Sequence, residues 1–207
     1  SIYEEKEVLL RKESNENLKV TIPGIYSQRR RDYFGLIEAL KKFSPDEVSM
    51  IIFNFLGSKK DTYEDLGLGI YESLYELKSL NYNIEIYDGF IPEDEYELEL
   101  ISTNIIFCPV NISGYPGEVY GLTKDTASTA MMIKYSIPGL LPNLLLYQSA
   151  LKSSVITYDT LSNAIERLIV LQKERKEYES LKIEAQKNSK KYSIQRIRES
   201  ISLETRT

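Results

Sequence analysis

The sequence predicts an α/β protein: a mostly parallel sheet with helices on both faces and a charged helical tail. Three observations carry this expectation. Short apolar runs alternate with helix-length amphipathic segments, the pattern of repeated strand–helix–strand units. The runs are nearly continuous in apolar residues, as in strands covered on both faces. The 207 residues are 42% hydrophobic and 28% charged, ordinary for a globular chain and enough to bury a sizeable core.

The elements follow in order. Residues 1–17 are polar and read as a linker or lead-in. Leu18 to Ile22 reads as a strand stopped by Pro23-Gly24. Asp32 to Phe43 has helical spacing, with Asp32 as N-cap. Val48 to Leu56 is a strand closed by Gly57, and Tyr63 to Leu80 a helix in which Gly67-Leu68-Gly69 is a weak spot. Asn83 to Tyr87 is a strand, Glu93 to Thr103 an acidic helix, and Asn104 to Val110 a buried strand. Thr126 to Tyr135 is helical, and Gly139 to Leu146 and Val155 to Tyr158 supply the last strands. Asp159-Thr160 starts a helix with an apolar stripe at Leu161, Ala164, Ile165, Leu168 and Leu171. Lys173 to Lys191 reads as mostly a solvated helix or pair of helices, and Ile194 to Leu203 as a final short one.

Composition narrows the chemistry. The formal net charge of -5 argues against a general nucleic-acid binder. No apolar run reaches the ~20 residues that span a bilayer; the stretch from Ile137 to Tyr147 is broken by Pro138, Gly139, Pro142 and Asn143. No secretory signal is visible, and a start on serine suggests that residues precede it. With no histidine, a Ser-His-Asp triad, a zinc–histidine site and a histidine general base cannot be built from this chain alone. The single cysteine, Cys108, reads as a small buried hydrophobe.

The most informative segment runs from Gly114 to Ala130. A buried strand leads into a glycine-rich polar loop, which feeds a helix whose first turn carries hydroxyls beside Lys124. Free N–H groups at a helix start with a cation nearby form an anion site. Thr123, Asp125 and Thr126 are suited to phosphate or ribose contacts, and equally to N-capping. Glu118 could orient a ligand hydroxyl or an acceptor, or be an exposed loop acid. A second basic feature, Arg29-Arg30-Arg31, follows the first strand and opens the first helix. Guanidinium forks match phosphate oxygens, and in a parallel sheet both turns lie at the same edge. Neither a Walker A loop nor a G-x-G-x-x-G fingerprint is present.

The acids Asp88, Glu93, Asp94, Glu95, Glu97 and Glu99 read as a solvated face that complements a helix dipole, not as a metal site. No D-x-D occurs. The basic tail, Lys182, Lys187, Lys190, Lys191, Arg196 and Arg198, could touch an anionic membrane surface or another domain, with a solvated helix as the default.

In order and spacing, these pieces resemble the C-terminal, donor-binding half of GT-B fold glycosyltransferases of the large family-four type. The anchors are V-T-I-P-G-I-Y-S-Q-R-R-R-D-Y-F-G-L-I-E-A-L, Y-D-G-F-I-P-E-D-E-Y, E-V-Y-G-L-T-K-D-T-A followed by I-P-G-L-L-P, and D-T-L-S-N-A-I-E-R-L. The likeness covers about residues 18–203. It implies a Rossmann-like nucleotide-sugar-binding domain over 18–158, with helices over 159–207 that complete it and pack toward an N-terminal half.

By this resemblance, Gly24 and Arg29, Arg30 or Arg31 approach the donor diphosphate, and Phe90 and Ile91 hold the base. Glu118 opens an E-x7-E motif, and Tyr120, Gly121, Thr123, Lys124 and Asp125 fall within it. The motif's second glutamate, the usual ribose ligand, is replaced by Thr126. Glu118, Lys124 and Arg30 would carry catalysis in the intact enzyme, stabilising the departing nucleoside diphosphate without a metal or other cofactor. The implied function is transfer of a sugar from a nucleotide-diphosphate donor in polysaccharide or glycoconjugate synthesis. The implied location is cytoplasmic, including the inner face of a membrane. Alone, the chain would bind donor weakly and catalyse little. The alternatives are a non-catalytic interaction domain of the same fold, a nucleotide-sugar epimerase, or a pyruvyl transferase.

Overall fold

A computed structural model describes residues 17–59, 66–111, 117, 126–145 and 149–192. Six parallel strands form one sheet: β1 (Leu18–Thr21), β2 (Ile51–Phe55), β3 (Ile84–Ile86), β4 (Ile105–Phe107), β5 (Gly139–Pro142) and β6 (Val155–Tyr158). Their spatial order is β3-β2-β1-β4-β5-β6. The order reverses between β1 and β4, so the loops leaving these two strands diverge and open a crevice at the carboxyl edge of the sheet.

The crossovers are α1 (Tyr33–Leu40), α2 (Gly67–Ser79), α3 (Glu93–Ser102) and α4 (Ala127–Tyr135), with a short 3-10 helix at Ser149–Ser154 before β6. α5 (Leu161–Lys173) and α6 (Arg175–Lys191) complete the described chain. The expected strands and helices are present at or within their predicted spans. The 3-10 helix lies in a stretch to which the sequence reading gave no element. The lead-in 1–16 and the helix expected at 194–203 lie outside the described residues.

Alternation along the strands separates two cores. Leu18, Val20, Ile51, Phe53 and Phe55 face α1, α2 and α5, where the stripe Ala164, Ile165, Leu168 and Leu171 is buried as its spacing requires. On the other face, Leu56, Ile106, Cys108 and Leu141 pack with Leu100 of α3 and Met132 of α4. Cys108 is a buried free thiol.

Two expectations need correction. Gly67-Leu68-Gly69 is not a weak spot inside a helix. Gly67 opens α2, because Leu66 before it takes a left-handed conformation (φ 51°) that a helix interior does not allow. The segment from Lys173 to Lys191 is mostly solvated, as expected, and one face of α6 packs inward. Tyr178, Ala185 and Asn188 of α6 are buried, and Ser189 Oγ donates to the Ile133 carbonyl of α4 (2.6 Å).

The sheet also departs from the near-continuous apolar runs expected of it. One face of β1–β3 is polar rather than apolar. Thr21, Asn54 and Glu85 share one register across the three strands, with Lys19 two residues earlier on the same face. Lys19 Nζ contacts Glu99 of α3 (2.6 Å) and Glu85 (2.8 Å), and Asn54 Nδ2 donates to Glu99 (3.0 Å). Burial works against the Lys19 charge, but hydrogen bonds to Glu85 and Glu99 outweigh it and hold its pKa above the usual lysine value. Glu99 and Glu97 therefore do not belong to a solvated acidic face.

Candidate functional site

The loop after β1 forms the floor of the crevice. Gly24 takes φ +113°, a conformation that L side chains rarely adopt, and its N–H donates to the Leu56 carbonyl (2.8 Å). Tyr26 turns inward, its hydroxyl donating to the Phe55 carbonyl (2.8 Å), while its N–H extends the β1–β2 pairing to Ser58 (3.1 Å). The Ser27 carbonyl then accepts from both Arg30 N (3.1 Å) and Arg31 N (3.0 Å), closing a tight turn. This turn leans on the end of β4: Asp32 N donates to the Pro109 carbonyl (2.8 Å) and Asn111 N to the Arg30 carbonyl (3.0 Å). Asp32 caps α1 as predicted, its carboxylate accepting from Gly35 N (3.0 Å) and Gln28 Nε2 (2.8 Å).

The turn separates the three arginines. Arg29 and Arg30 are exposed, whereas Arg31 is half-buried and folds back over Gly24. A Cβ on Gly24 would lie only 2.8 Å from Arg31 Nη1, so the guanidinium rests directly on that backbone. Arg31 Nε is buried and has no hydrogen-bond partner among the described residues. Its charge is felt on both faces of the sheet. Burial pushes Tyr33 of α1 and Tyr96 of α3 up to about 12, and in each case Arg31 opposes the rise. A cation at the junction of both cores, beside a bare glycine backbone, is suited to an anionic ligand.

Across the crevice, Thr126 is the N-cap of α4. Its hydroxyl accepts from Ser128 N (3.1 Å) and lies 3.7 Å from Cys108 Sγ, with only 7% of the residue exposed. The capping role thus claims the side chain that replaces the second glutamate. Gly117 has φ +80° and open space around its Cα. Glu118, Tyr120, Gly121, Thr123, Lys124 and Asp125 lie outside the described residues.

The loop after β3 reaches the same edge. Phe90 is 90% exposed, while Ile91 packs against the α3–α4 core. Lys59 ties this loop to its neighbour by an ion pair with Asp88 (2.9 Å), which holds the Asp88 carboxyl below its usual range.

The carboxyl ends of β4, β5 and β6 enclose a cleft of about 470 Å3. Its walls are apolar at Pro109, Val110, Pro142 and Tyr158 and polar at Asp32, Asn111, Asn143 and Asp159. Asn143 Nδ2 donates to Asp159, presenting a linked amide–carboxylate pair. Neutral hydroxyl groups suit this lining better than phosphates, because Asp159 and the α1-capping Asp32 both bring negative charge to it. Sequence reading missed this cleft: Asn143 falls inside the expected strand Gly139 to Leu146, whereas β5 ends at Pro142 and frees it for the cleft. Among the described residues, no group of three or more potential metal ligands occurs, and no helix is long and apolar enough to cross a membrane.

Comparison with known proteins matches this architecture. No protein-family model and no curated relative matches the chain. Solved structures do. One is the C-terminal domain of a glycosyl transferase group 1 family protein, LpcC, from Francisella tularensis. It superposes with a TM-score of 0.61 at 10% identity, over 93% of this chain and 96% of that one. HepE from Anabaena, solved in complex with UDP, gives a TM-score of 0.61 at 12% identity over 90% of this chain and 49% of its own. WaaG, a glycosyltransferase involved in lipopolysaccharide biosynthesis, gives 0.58 at 15% over 86% and 44%. The chain thus spans about half or less of the two longer proteins. At these identities the likeness shows the fold, and it is the expected one: a Rossmann-like domain shaped as the C-terminal half of such glycosyltransferases.

Proposed function

We propose that this chain binds a nucleotide-diphosphate sugar as the donor half of a glycosyltransferase. The observation that carries the reading is Arg31, laid across the Gly24 backbone at the point where strand order reverses, with a buried Nε that lacks a partner among the described residues. A diphosphate placed there would accept from the guanidinium and lie against the bare Gly24 backbone, in the crevice where such sheets bind ligands. Phe90 offers an exposed ring for the base at one side. The cleft at β4–β6 offers carboxylates and amides for sugar hydroxyls at the other.

Within this reading, Arg31 is the arginine that meets phosphate, with the α4 start on the opposite wall and Lys124 as the second phosphate-binding cation. As the sugar departs, negative charge grows on the diphosphate, and fixed cations stabilise it without a metal. Glu118 orients the donor sugar or the acceptor. The second half-domain supplies acceptor recognition, so transfer requires the longer protein. Calorimetric titration of nucleoside diphosphates tests the donor reading: Arg31→Ala should abolish binding, while Arg29→Ala should weaken it only slightly. Equal affinity in wild type and Arg31→Ala would contradict it.

One observation favours the second reading, an interaction domain that kept the fold and lost the ligand: the Thr126 hydroxyl caps α4 where a ribose-binding carboxylate is expected. A nucleotide titration that is silent for the longer protein as well would support it.

A further inference from the structure

Helix α3 is attached by polar links. Leu100 is its one fully buried apolar residue and half-buried Tyr96 packs beside it, its hydroxyl 3.7 Å from Met131 Sδ of α4; two carboxylates on different sides of the helix, Glu97 toward α4 and Glu99 toward the sheet, add the polar links. Glu99 accepts from Lys19 Nζ (2.6 Å) and Asn54 Nδ2 (3.0 Å), which fixes α3 to β1 and β2. Glu97 Oε1 accepts from Lys134 Nζ (2.9 Å) and Tyr135 Oη (3.1 Å), both in the last turn of α4. At its C-terminal end, Thr103 Oγ1 donates to the Glu99 carbonyl (2.8 Å) and lies 2.6 Å from Thr21 Oγ1. The helix therefore hangs between the sheet and α4.

Its two neighbours in the chain give this arrangement a consequence. The N-terminal end of α3 continues directly from the 87–92 loop that carries exposed Phe90. α4 begins at Thr126, on the opposite wall of the crevice. The Glu97 link to Lys134 and Tyr135 therefore sets the position of the Phe90 loop relative to the α4 start. Charged hydrogen bonds define such a distance more sharply than sliding apolar contacts, because they tolerate little displacement.

We infer that Glu97, with Glu99, is a positioning residue that fixes the spacing between the base-contacting loop and the phosphate-contacting helix start, and so governs selectivity for the nucleoside part of the ligand. The inference rests on the donor-binding reading. Glu97 touches no ligand; it acts through α3.

The test compares two probes, UDP and inorganic pyrophosphate, on the wild-type chain and on Glu97→Ala, Lys134→Ala, the double variant and Glu97→Gln. Wild type should bind UDP more tightly than pyrophosphate. Glu97→Ala and Lys134→Ala should each weaken UDP severalfold and leave pyrophosphate unchanged, the double variant should be no worse than either single one, and Glu97→Gln should recover much of the loss. A parallel loss for both probes, or no change for either, would overturn the inference. So would additive losses in the double variant. A wild type that binds neither probe, nor ADP, GDP or CDP, would defeat the donor reading and this inference with it, whereas intact UDP preference in Glu97→Ala would defeat this inference alone. Should Glu97→Ala fail to fold, Lys134→Ala carries the same comparison from the exposed side of the link.

Discussion

The Arg31 guanidinium rests on Gly24: a Cβ added at Gly24 would meet Nη1 at 2.8 Å and Nη2 at 2.9 Å. The glycine is required twice, once by φ +113° and once by the closeness of that cation. Gly57 supports the pair from beneath, since a Cβ there would sit 1.9 Å from the Gly24 carbonyl oxygen. Gly24→Ala is expected to cost about 1–3 kcal/mol in backbone strain and to displace Arg31. Gly57→Ala should cost a similar amount by overpacking, about 1–3 kcal/mol, and should also move the Gly24 loop. Urea unfolding measures the cost, and nucleotide titration of the folded fraction should show both variants weakened. Unchanged stability in Gly24→Ala would mean that the loop is built differently.

Thr126 is a cap before it is anything else. Thr126→Ala is expected to lower stability by about 1 kcal/mol, the usual cost of losing an N-cap, while Thr126→Ser should retain most of it. Denaturant midpoints for the two variants check this. Equal loss in both would place the contribution in the methyl group and its packing beside Cys108 rather than in the hydroxyl.

Lys19 and Glu99 couple the polar face of the sheet to α3. Lys19→Met should cost about 2–3 kcal/mol, because it strands carboxylates near the sheet, with some of that loss relieved by the partial exposure of Glu85. Adding Glu99→Gln should recover part of the loss. A double-mutant cycle in urea measures the coupling; simple additivity would show that the contact contributes nothing.

Alkaline pH should unfold the chain. Burial raises the Tyr33 hydroxyl to about 12 despite Arg31, and Tyr96 likewise to about 12; Tyr26 and Tyr158 are raised further by burial. An unfolded tyrosine ionises near 10. Above that pH the unfolded state holds fewer protons than the folded one, so stability falls as pH rises from about 10 through 12. A two-unit displacement at fully buried Tyr33 corresponds to about 3 kcal/mol. Tyrosinate absorbance should therefore appear in two stages, the exposed rings first and the buried ones together with loss of circular dichroism. A single early stage with the fold intact would contradict the burial of these rings.

The strands and helices were legible because each apolar run is closed by its own stop signal. Pro23-Gly24, Gly57 and Asp88-Gly89 end strands, and Asp32, Thr126 and Thr160 cap helices with their side chains. The three arginines could not be told apart in sequence, because the turn at Ser27 decides which one folds back over Gly24. The inward acids were missed for a related reason. Glu97 and Glu99 alternate with Leu98 and Leu100 in a helix that reads as acidic throughout, and the Lys19 partner of Glu99 lies 80 residues away. One signal was available: a lysine inside the strand Leu18–Thr21 must find a partner when its neighbours are buried.

On the proposed function, the crevice between the β1 and β4 loops holds a nucleoside diphosphate through Arg31. Amide-resolved NMR titration of the chain with UDP, ADP, GDP and CDP tests it most directly. Saturable shifts are expected for at least one of them at the amides of Gly24, Arg31, Phe90 and Gly117, all abolished in Arg31→Ala while the spectrum otherwise stays folded. Shifts that persist in Arg31→Ala, or no saturable shift with any of the four at millimolar concentration, would contradict it.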